Sequence, residues 1–382
     1  MDITQALPLL GGLSPQQFMK RHWQKKPLLV RGALAGFTPL LARSELFDLA
    51  GQEGVESRLL SHGERGWKLK QGPFARRALP PITRPQWTLL VQGVDLHHAG
   101  VHSLMQQFRF VPDARLDDVM ISYASDGGGV GPHFDSYDVF LLQASGQRRW
   151  RIGRQKDLTL VENLPLKILA NFEPEEEYVL EAGDMLYLPP RWAHDGVAVG
   201  ECMTYSIGFR QPARGELARE MLSRIAEEVA EELGDAPYRD PRQPAVAHPG
   251  QVPQAMLDFA RDAVARALRD SSQLSMALGE VLTEPKPNVW FDAPMDDAEN
   301  ELDSGDGLLE AVVLDRRTRM MYDAQHIFIN GESYRAGGKD ARLMRRLSDE
   351  RRLNAKDVRQ LGADARELLD EWKASGWVRG GG

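Results

Sequence analysis

The 382-residue sequence predicts a mainly β N-terminal domain, sandwich or barrel, then a helical segment and a C-terminal α+β domain. Three observations carry this. As far as Pro212, short apolar runs alternate with Gly, Pro and Asp turns. Two stretches then repeat apolar residues at helical spacing amid charge. After "TEPKPN", short helical patterns mix with strands and an Asn-Gly turn signal. The boundaries fall at residues 1–212, 213–271 and 272–382.

In the first zone the strand-like runs are "PLLVRG", "DVMISYA", "DVFLLQA", "RRWRIG", "EYVLEA", "DMLYLP", "DGVAVG" and "MTYSIGF". "SPQQFMKRHW" reads as a helix with Ser14 as its N-cap, and "HSLMQQF" as one more short helix. In the second zone "GELAREMLSRIAEEVAEEL" and "VPQAMLDFARDAVARALRD" are amphipathic helices joined by a Pro-rich connection. They could pair with each other, pack on their own barrel, or meet a second subunit and make a homodimer. In the third zone "AVVLDRRTRMMYD", "HIFINGESYRA" and "WV" read as strands. With the helices "DARLMRRLSDERRLN", "AKDVRQL" and "ARELLDEWKASG", they are compatible with a winged helix. The acidic run "DDAENELDSGDG" reads as a solvated loop.

The totals exclude several classes. A net charge of −8 argues against a broadly cationic nucleic-acid binder and leaves room only for a local basic patch, so direct nucleic-acid binding is not expected. Cys202 is the single cysteine, which rules out an intramolecular disulfide and suits a reducing compartment. The N-terminus shows no basic region leading into an apolar run, and no segment approaches the ~20 apolar residues of a membrane helix. A cytoplasmic protein with no membrane partner is expected.

The chemistry concentrates in "GGGVGPHFDSYDVFLLQASGQRRWRIG", residues 127–153. His133 and Asp135 are two apart, so an extended chain points both to one side. A third ligand must come from elsewhere, and His194 in "GDMLYLPPRWAHDGVAVG" follows roughly sixty residues later. Two imidazoles and one carboxylate, with further positions open, form the arrangement of non-haem Fe(II) oxygenases. A closed structural zinc site would use four ligands rich in cysteine. A lone HxD pair is weak; most are turn or surface residues, and the other histidines lack this context.

Arg148 alternates with Trp150 and Ile152, which places it on the interior face of a β domain. A buried guanidinium cannot shed its proton and is costly without an anion. It therefore expects a carboxylate of its own chain or a carboxylate guest, unless the strand turns its arginine to water. 2-Oxoglutarate fits the second case, chelating a metal at one end and pairing with Arg148 at the other. Arg149 and Arg151 fall on the opposite, solvated face. Ser122 shares a strand face with Met120 and Ala124 and could also reach such a guest. Asp126, Tyr137 and Asp138 flank the metal segment and could hold a cationic substrate side chain, though each also reads as an ordinary loop residue.

Three segments carry a family resemblance: "HWQKKPLLVRGAL", "MISYASDGGGVGPHFDSYDVFLLQASGQRRWRIG", and "GDMLYLPPRWAHDGVA" with "YSIGFR". The sequence resembles the JmjC-type 2-oxoglutarate oxygenases. Within them it is similar to the bacterial ribosomal oxygenases that hydroxylate an arginine of large-subunit ribosomal protein sixteen. The resemblance implies a double-stranded β-helix (jelly-roll cupin) catalytic domain, dimerisation helices and a winged-helix-like C-terminal domain. It implies that His133, Asp135 and His194 hold Fe(II) and are catalytic, with 2-oxoglutarate and dioxygen as co-substrates. Arg148 would anchor the distal carboxylate and Ser122 would contact the co-substrate. The expected reaction adds a hydroxyl at Cβ of an arginine in the ribosomal protein.

Three other accounts remain at this point: a ligand-sensing cupin transcription regulator with a DNA-binding C-terminal domain, a non-catalytic metal-binding interaction protein, and an N-methyl demethylase. Residues 341–382 hold ten Lys/Arg against seven Asp/Glu, a net of +3, which is a thin footprint for DNA.

Overall fold

The computed structural model describes residues 2–64, 66–234, 236–292 and 311–381, and divides into two compact units, Met1–Gln211 and Pro212–Gly382. The acidic run at 296–307 lies outside the described residues.

The first unit runs α1 (Pro15–Arg21), β1 (Leu28–Val30), α2 (Arg43–Leu49), β2 (Ser57–Gly63), β3 (Gly66–Gln71), β4 (Trp87–Val91), α3 (Ala99–Gln106), β5 (Leu116–Ala124), β6 (Val139–Gly153), β7 (Glu176–Leu180), β8 (Met185–Leu188) and β9 (Ala193–Phe209). Ser14 caps α1 as expected, accepting from the Gln17 amide while the Gln17 side chain accepts from the Ser14 amide. The strands form one antiparallel sheet in the order β1-β8-β6-β9-β5-β4-β2-β3, with β7 also paired to β6.

Two strands are longer than the sequence suggests. "DVFLLQA" and "RRWRIG", read as two strands, belong to the single 15-residue β6, and "DGVAVG" and "MTYSIGF" join into the 17-residue β9. The ladder between them runs from Val139↔Gly208 to Gly153↔Ala193, with irregularities at Gln143–Gln147. Gly146 sits there at φ 63°, and a Cβ on it would lie 2.1 Å from the Glu201 carbonyl oxygen. Only glycine lets the chain bend at that point and keep pairing. The first part of β6 also pairs with β8 and the second with β7, so the bend rolls the sheet over on itself. This is the double-stranded β-helix architecture.

Alternation along the strands sorts the side chains. Val119, Ile121 and Tyr123 of β5, Phe140 and Leu142 of β6, and Met203, Tyr205 and Ile207 of β9 enter the main core with α1 to α3. The other faces of these strands turn towards the site described below.

The second unit comprises α4 (Arg214–Leu233), α5 (Gln254–Ala267), α6 (Ser271–Thr283), β10 (Ala311–Leu314), β11 (Met320–Tyr322), β12 (His326–Ile329), β13 (Glu332–Arg335), α7 (Gly338–Glu350), β14 (Arg352–Leu353), α8 (Ala355–Arg359), α9 (Ala363–Ala374) and β15 (Val378–Gly381). Two three-stranded sheets, β14-β10-β15 and β11-β12-β13, close over Ile327, Leu343, Leu347, Leu369 and Trp372. Asn330 and Gly331, both at positive φ, turn β12 into β13 as the sequence predicts. α6 presses its Gly279 on the Phe328 ring, and α4 is tied to the end of α6 by Arg224–Glu284 at 2.6 Å. α5 buries none of its residues; Met256, Phe259 and Val264 are all exposed. No described helix is long and apolar enough to cross a membrane.

Candidate metal centre

The loop before β6 and the start of β9 meet through one antiparallel bridge. The His133 amide donates to the His194 carbonyl at 3.0 Å, and the His194 amide to the His133 carbonyl at 2.8 Å. Residues far apart in sequence are thereby held with their imidazoles side by side, ring centroids 4.3 Å apart and planes tilted by 58°. Asp135 Oδ2 lies 3.7 Å from His194 Nε2, and one ligand atom from each of the three residues falls within 4.8 Å of the others. Gly131 makes the turn at φ 79°, where a Cβ would meet Ile168 at 2.9 Å and Trp67 at 3.1 Å.

Each imidazole has its far nitrogen engaged. His133 Nδ1 is 2.9 Å from the Gly131 carbonyl and His194 Nδ1 is 3.0 Å from the Trp192 carbonyl. A carbonyl only accepts, so Nδ1 of each ring is a donor, and the lone pair of the neutral ring is on Nε2. Burial, reinforced by the neighbouring His133, pushes His194 down to about 4, which keeps that ring neutral and able to ligate near neutral pH. Two imidazole nitrogens and a carboxylate oxygen, without a thiolate, fit a divalent metal of the Fe(II) kind held on one side. Cys202 is buried elsewhere, against Ala124 and Ala198.

These residues line a cavity of about 460 Å³, together with Ser122, Tyr137, Arg148 and Trp150. Arg148 is 5% exposed and faces inward with Trp150, its guanidinium 5.4 Å from the indole centroid. Nη1 donates to Ser122 Oγ at 3.1 Å and Thr204 Oγ1 at 3.2 Å; Nε has no partner. Among the described residues no carboxylate pairs with it. Arg149 and Arg151 lie on the outer face, against Glu177 and Asp195.

The hydroxyl protons around Arg148 are accounted for. Thr204 donates to Gln143 Oε1 at 3.0 Å, and Ser122 donates to the Thr204 carbonyl at 3.4 Å. Both oxygens therefore turn lone pairs to the cation. They position it without neutralising it.

Of the other substrate candidates, Tyr137 lines the cavity and is 39% exposed. The structure does not bring Asp126 or Asp138 to it. Asp126 accepts from the Gly200 amide at 2.8 Å in an exposed loop. Asp138 is fully buried, accepting from the Tyr187 hydroxyl at 2.5 Å, Gln24 Nε2 at 3.1 Å and Arg115 at 3.3 Å. It ends up on the core side because β6 starts at the next residue and alternation turns Asp138 with Phe140. Thr204, Gln143 and the cavity-lining Asp117 and Asp118 were invisible as site residues in the sequence reading. The available signal is Cys202, Thr204, Ser206 and Gly208 alternating with Met203, Tyr205, Ile207 and Phe209. Small or polar residues on every second position mark a strand face that borders a cavity.

A metal-ligand cluster on a double-stranded β-helix, sharing one cavity with an arginine that lacks an anion, defines a 2-oxoglutarate oxygenase of the cupin type. Comparison with known proteins agrees. Residues 103–217 match the JmjC domain family, and residues 264–379 match the ROXA-like winged helix. The chain is 36% identical over 321 residues to the ribosomal protein uL16 3-hydroxylase of Escherichia coli K12, covering 82% of this chain and 84% of that protein. The X-ray structure of E. coli ycfD superposes with a TM-score of 0.80 at 31% identity, over 95% of this chain and 97% of that one. The E. coli ribosomal oxygenase YcfD in complex with cobalt and 2-oxoglutarate gives 0.77 at 31% identity, over 96% and 98%. The chain belongs to the JmjC-domain ribosomal oxygenase family. It is a 2-oxoglutarate-dependent dioxygenase, and the His-Asp-His cluster is the candidate site for its iron.

Proposed function

We propose that this protein hydroxylates Cβ of an arginine in large-subunit ribosomal protein uL16, using Fe(II), 2-oxoglutarate and dioxygen. The observation that carries the reading is the pairing, in one cavity, of the His133–Asp135–His194 cluster with an Arg148 that has only neutral partners. The 36% identity to the E. coli uL16 3-hydroxylase supports the substrate.

His133, Asp135 and His194 would hold the iron, which when bound supplies dioxygen activation coupled to oxidation of 2-oxoglutarate to succinate and carbon dioxide. Arg148 binds the distal carboxylate with the N–H groups that Ser122 and Thr204 leave open, a charge-assisted contact in a dry setting. Ser122 and Thr204 orient the guanidinium, and Trp150 packs against its face and excludes water. The Nδ1 contacts of both histidines fix which nitrogen faces the metal. At the cavity wall the Tyr137 ring offers a surface on which a substrate guanidinium can rest. Positioning of the target carbon is the protein's main contribution.

The test is anaerobic reconstitution with iron and 2-oxoglutarate, admission of air, and mass spectrometry of a uL16 peptide. One added oxygen on the arginine supports the reading; turnover of 2-oxoglutarate with an unmodified peptide overturns it. Formaldehyde release from a methylated peptide would instead mark a demethylase. The exposed apolar residues of α5 support a homodimer, which a mass measurement at micromolar concentration tests. A ribosomal protein substrate supports a cytoplasmic location for the enzyme.

A further inference from the structure

We propose that Gln143 is a positioning residue for 2-oxoglutarate binding: acting through Thr204, its neutral side-chain amide keeps Arg148 oriented and free of an internal counter-ion. The inference rests on the reading of Arg148 as the anchor of the distal carboxylate. Gln143 itself is fully buried and stands behind the cavity wall, so it touches the co-substrate only through its neighbours.

Register puts it there. The strands β6, β9 and β5 are neighbours in the sheet, with Gln143 opposite Thr204 and Thr204 opposite Ser122. These three make a polar row across the strands. Arg148, further along β6, reaches back past the irregularity at Gln143–Gln147 and donates to both hydroxyls of the row. The main chain of Gln143 is gripped by the turn between β7 and β8. Its amide donates to the Asp184 carbonyl at 2.9 Å, and its carbonyl accepts from the Gly183 amide at 2.9 Å.

The side-chain amide can face only one way. A carbonyl only accepts, so Nε2 is the atom that meets the Ser145 carbonyl at 2.9 Å, and Oε1 is left to accept the Thr204 hydroxyl proton at 3.0 Å. With its proton committed there, Thr204 offers Arg148 a lone pair at 3.2 Å. Other side chains break one link each. An apolar residue gives Thr204 no acceptor, and the freed hydroxyl can turn its proton towards the guanidinium. A carboxylate accepts from Thr204, but sets an oxygen against the Ser145 carbonyl and puts a negative charge two hydrogen bonds from Arg148. That charge would do from inside the protein what the co-substrate does on binding. Glutamine supplies a donor and an acceptor with no charge, and so leaves the cation for its guest.

The experiment is calorimetric titration of 2-oxoglutarate into the Fe(II)-loaded full-length protein under argon, where binding is read without turnover. Gln143→Met weakens binding about 5-fold, as expected for one neutral hydrogen bond. Gln143→Glu weakens it about 10-fold or more, because the new charge competes for Arg148. Thr204→Val alone weakens it about 5-fold. Adding Gln143→Met to Thr204→Val weakens it no further, since the amide acts through that hydroxyl; a general loosening of the strand would instead give losses that add. In aerobic assays the change falls on the KM for 2-oxoglutarate rather than on kcat. Wild-type affinity in either Gln143 variant overturns the proposal, as do additive losses in the double variant or a fall in kcat in place of the rise in KM. Gln143→Glu exchanges groups of nearly equal size, so the test stands even where Gln143→Met does not fold. Arg148→Leu in the same titration separates this proposal from the reading beneath it. Wild-type affinity there overturns the anchor and the proposal together, whereas a large loss there with wild-type affinity at Gln143 overturns the proposal alone.

Discussion

Arg148 in the β-helix unit and Arg317 in the C-terminal unit are both largely buried, and their surroundings differ in one respect. Arg317 donates to Asp315 at 2.8 Å, to Asp292 at 3.0 Å and to the Trp290 carbonyl at 2.7 Å, and Arg379 adds a second cation 2.6 Å from Asp315. Arg148 meets two hydroxyls and an indole face. The first is an electrostatically closed cluster that holds a loop. The second is left open, and only a bound anion closes it. Burial of a charge identifies neither case; the inventory of its partners does.

That contrast can be broken in several places. The largest expected effect is at the metal cluster. His133→Ala or Asp135→Ala abolishes turnover while circular dichroism stays native, because neither residue belongs to a hydrophobic core. Retained turnover in either removes the metal assignment. Arg148→Leu raises the 2-oxoglutarate requirement about 10²-fold, as expected for loss of a buried charge-assisted contact. It leaves the ligand-free protein as stable as before, since a costly uncompensated cation has gone. Arg317→Leu does the reverse: catalysis is untouched, and the C-terminal unit loses about 3 kcal/mol because Asp315 keeps its charge with one partner fewer. Urea titrations of both variants read the difference directly, and equal losses would erase the distinction.

Acid separates the two units more gently. His194 is held at about 4 in the fold, below its ordinary 6.5, so the unfolded chain binds the extra proton first. Stability of the metal-free first unit is therefore lost as pH falls from 6.5 towards 4. Burial pushes the Asp315 carboxyl up, but hydrogen bonds and charge from Arg317, with Arg379, outweigh it and hold it below 3.8. Its contribution is present above that value and is lost only on further acidification. Hydrogen exchange against pH should show the first unit loosening before the second. The smallest effect belongs to Thr204→Val, which removes one hydroxyl from Arg148. The 2-oxoglutarate requirement rises a few-fold, about 1 kcal/mol, with turnover at saturation unchanged.

Legibility in the sequence followed how local each signal is. Ser14 with Gln17, and Asn330 with Gly331, are complete within a few residues, and both stand as read. His133 and Asp135 were visible because period two needs no knowledge of the partner strand. Arg148 was visible because a cation alternating with Trp150 and Ile152 contradicts its own strand. The β2–β3 hairpin and α6 have no place in the sequence reading: "GWKLKQ" is too charged for a strand pattern, and "SSQLSMALGEVLT" lacks the charged face that marks the other helices. Asp138 and Asp126 were placed beside the metal by chain proximity alone, and one residue of phase in a strand sent Asp138 into the core.

By itself, then, the sequence determined the ligand types, the side of the strand they occupy and the presence of a buried cation, because each depends on alternation and residue chemistry within one segment. Tertiary structure alone decided that His194 closes on His133 through a single backbone bridge, and that Ser122, Thr204 and Gln143 converge on Arg148. Those contacts arise from the register between β5, β6 and β9. Register is set by bends such as Gly146 and by the packing of whole strand faces, which no short stretch encodes.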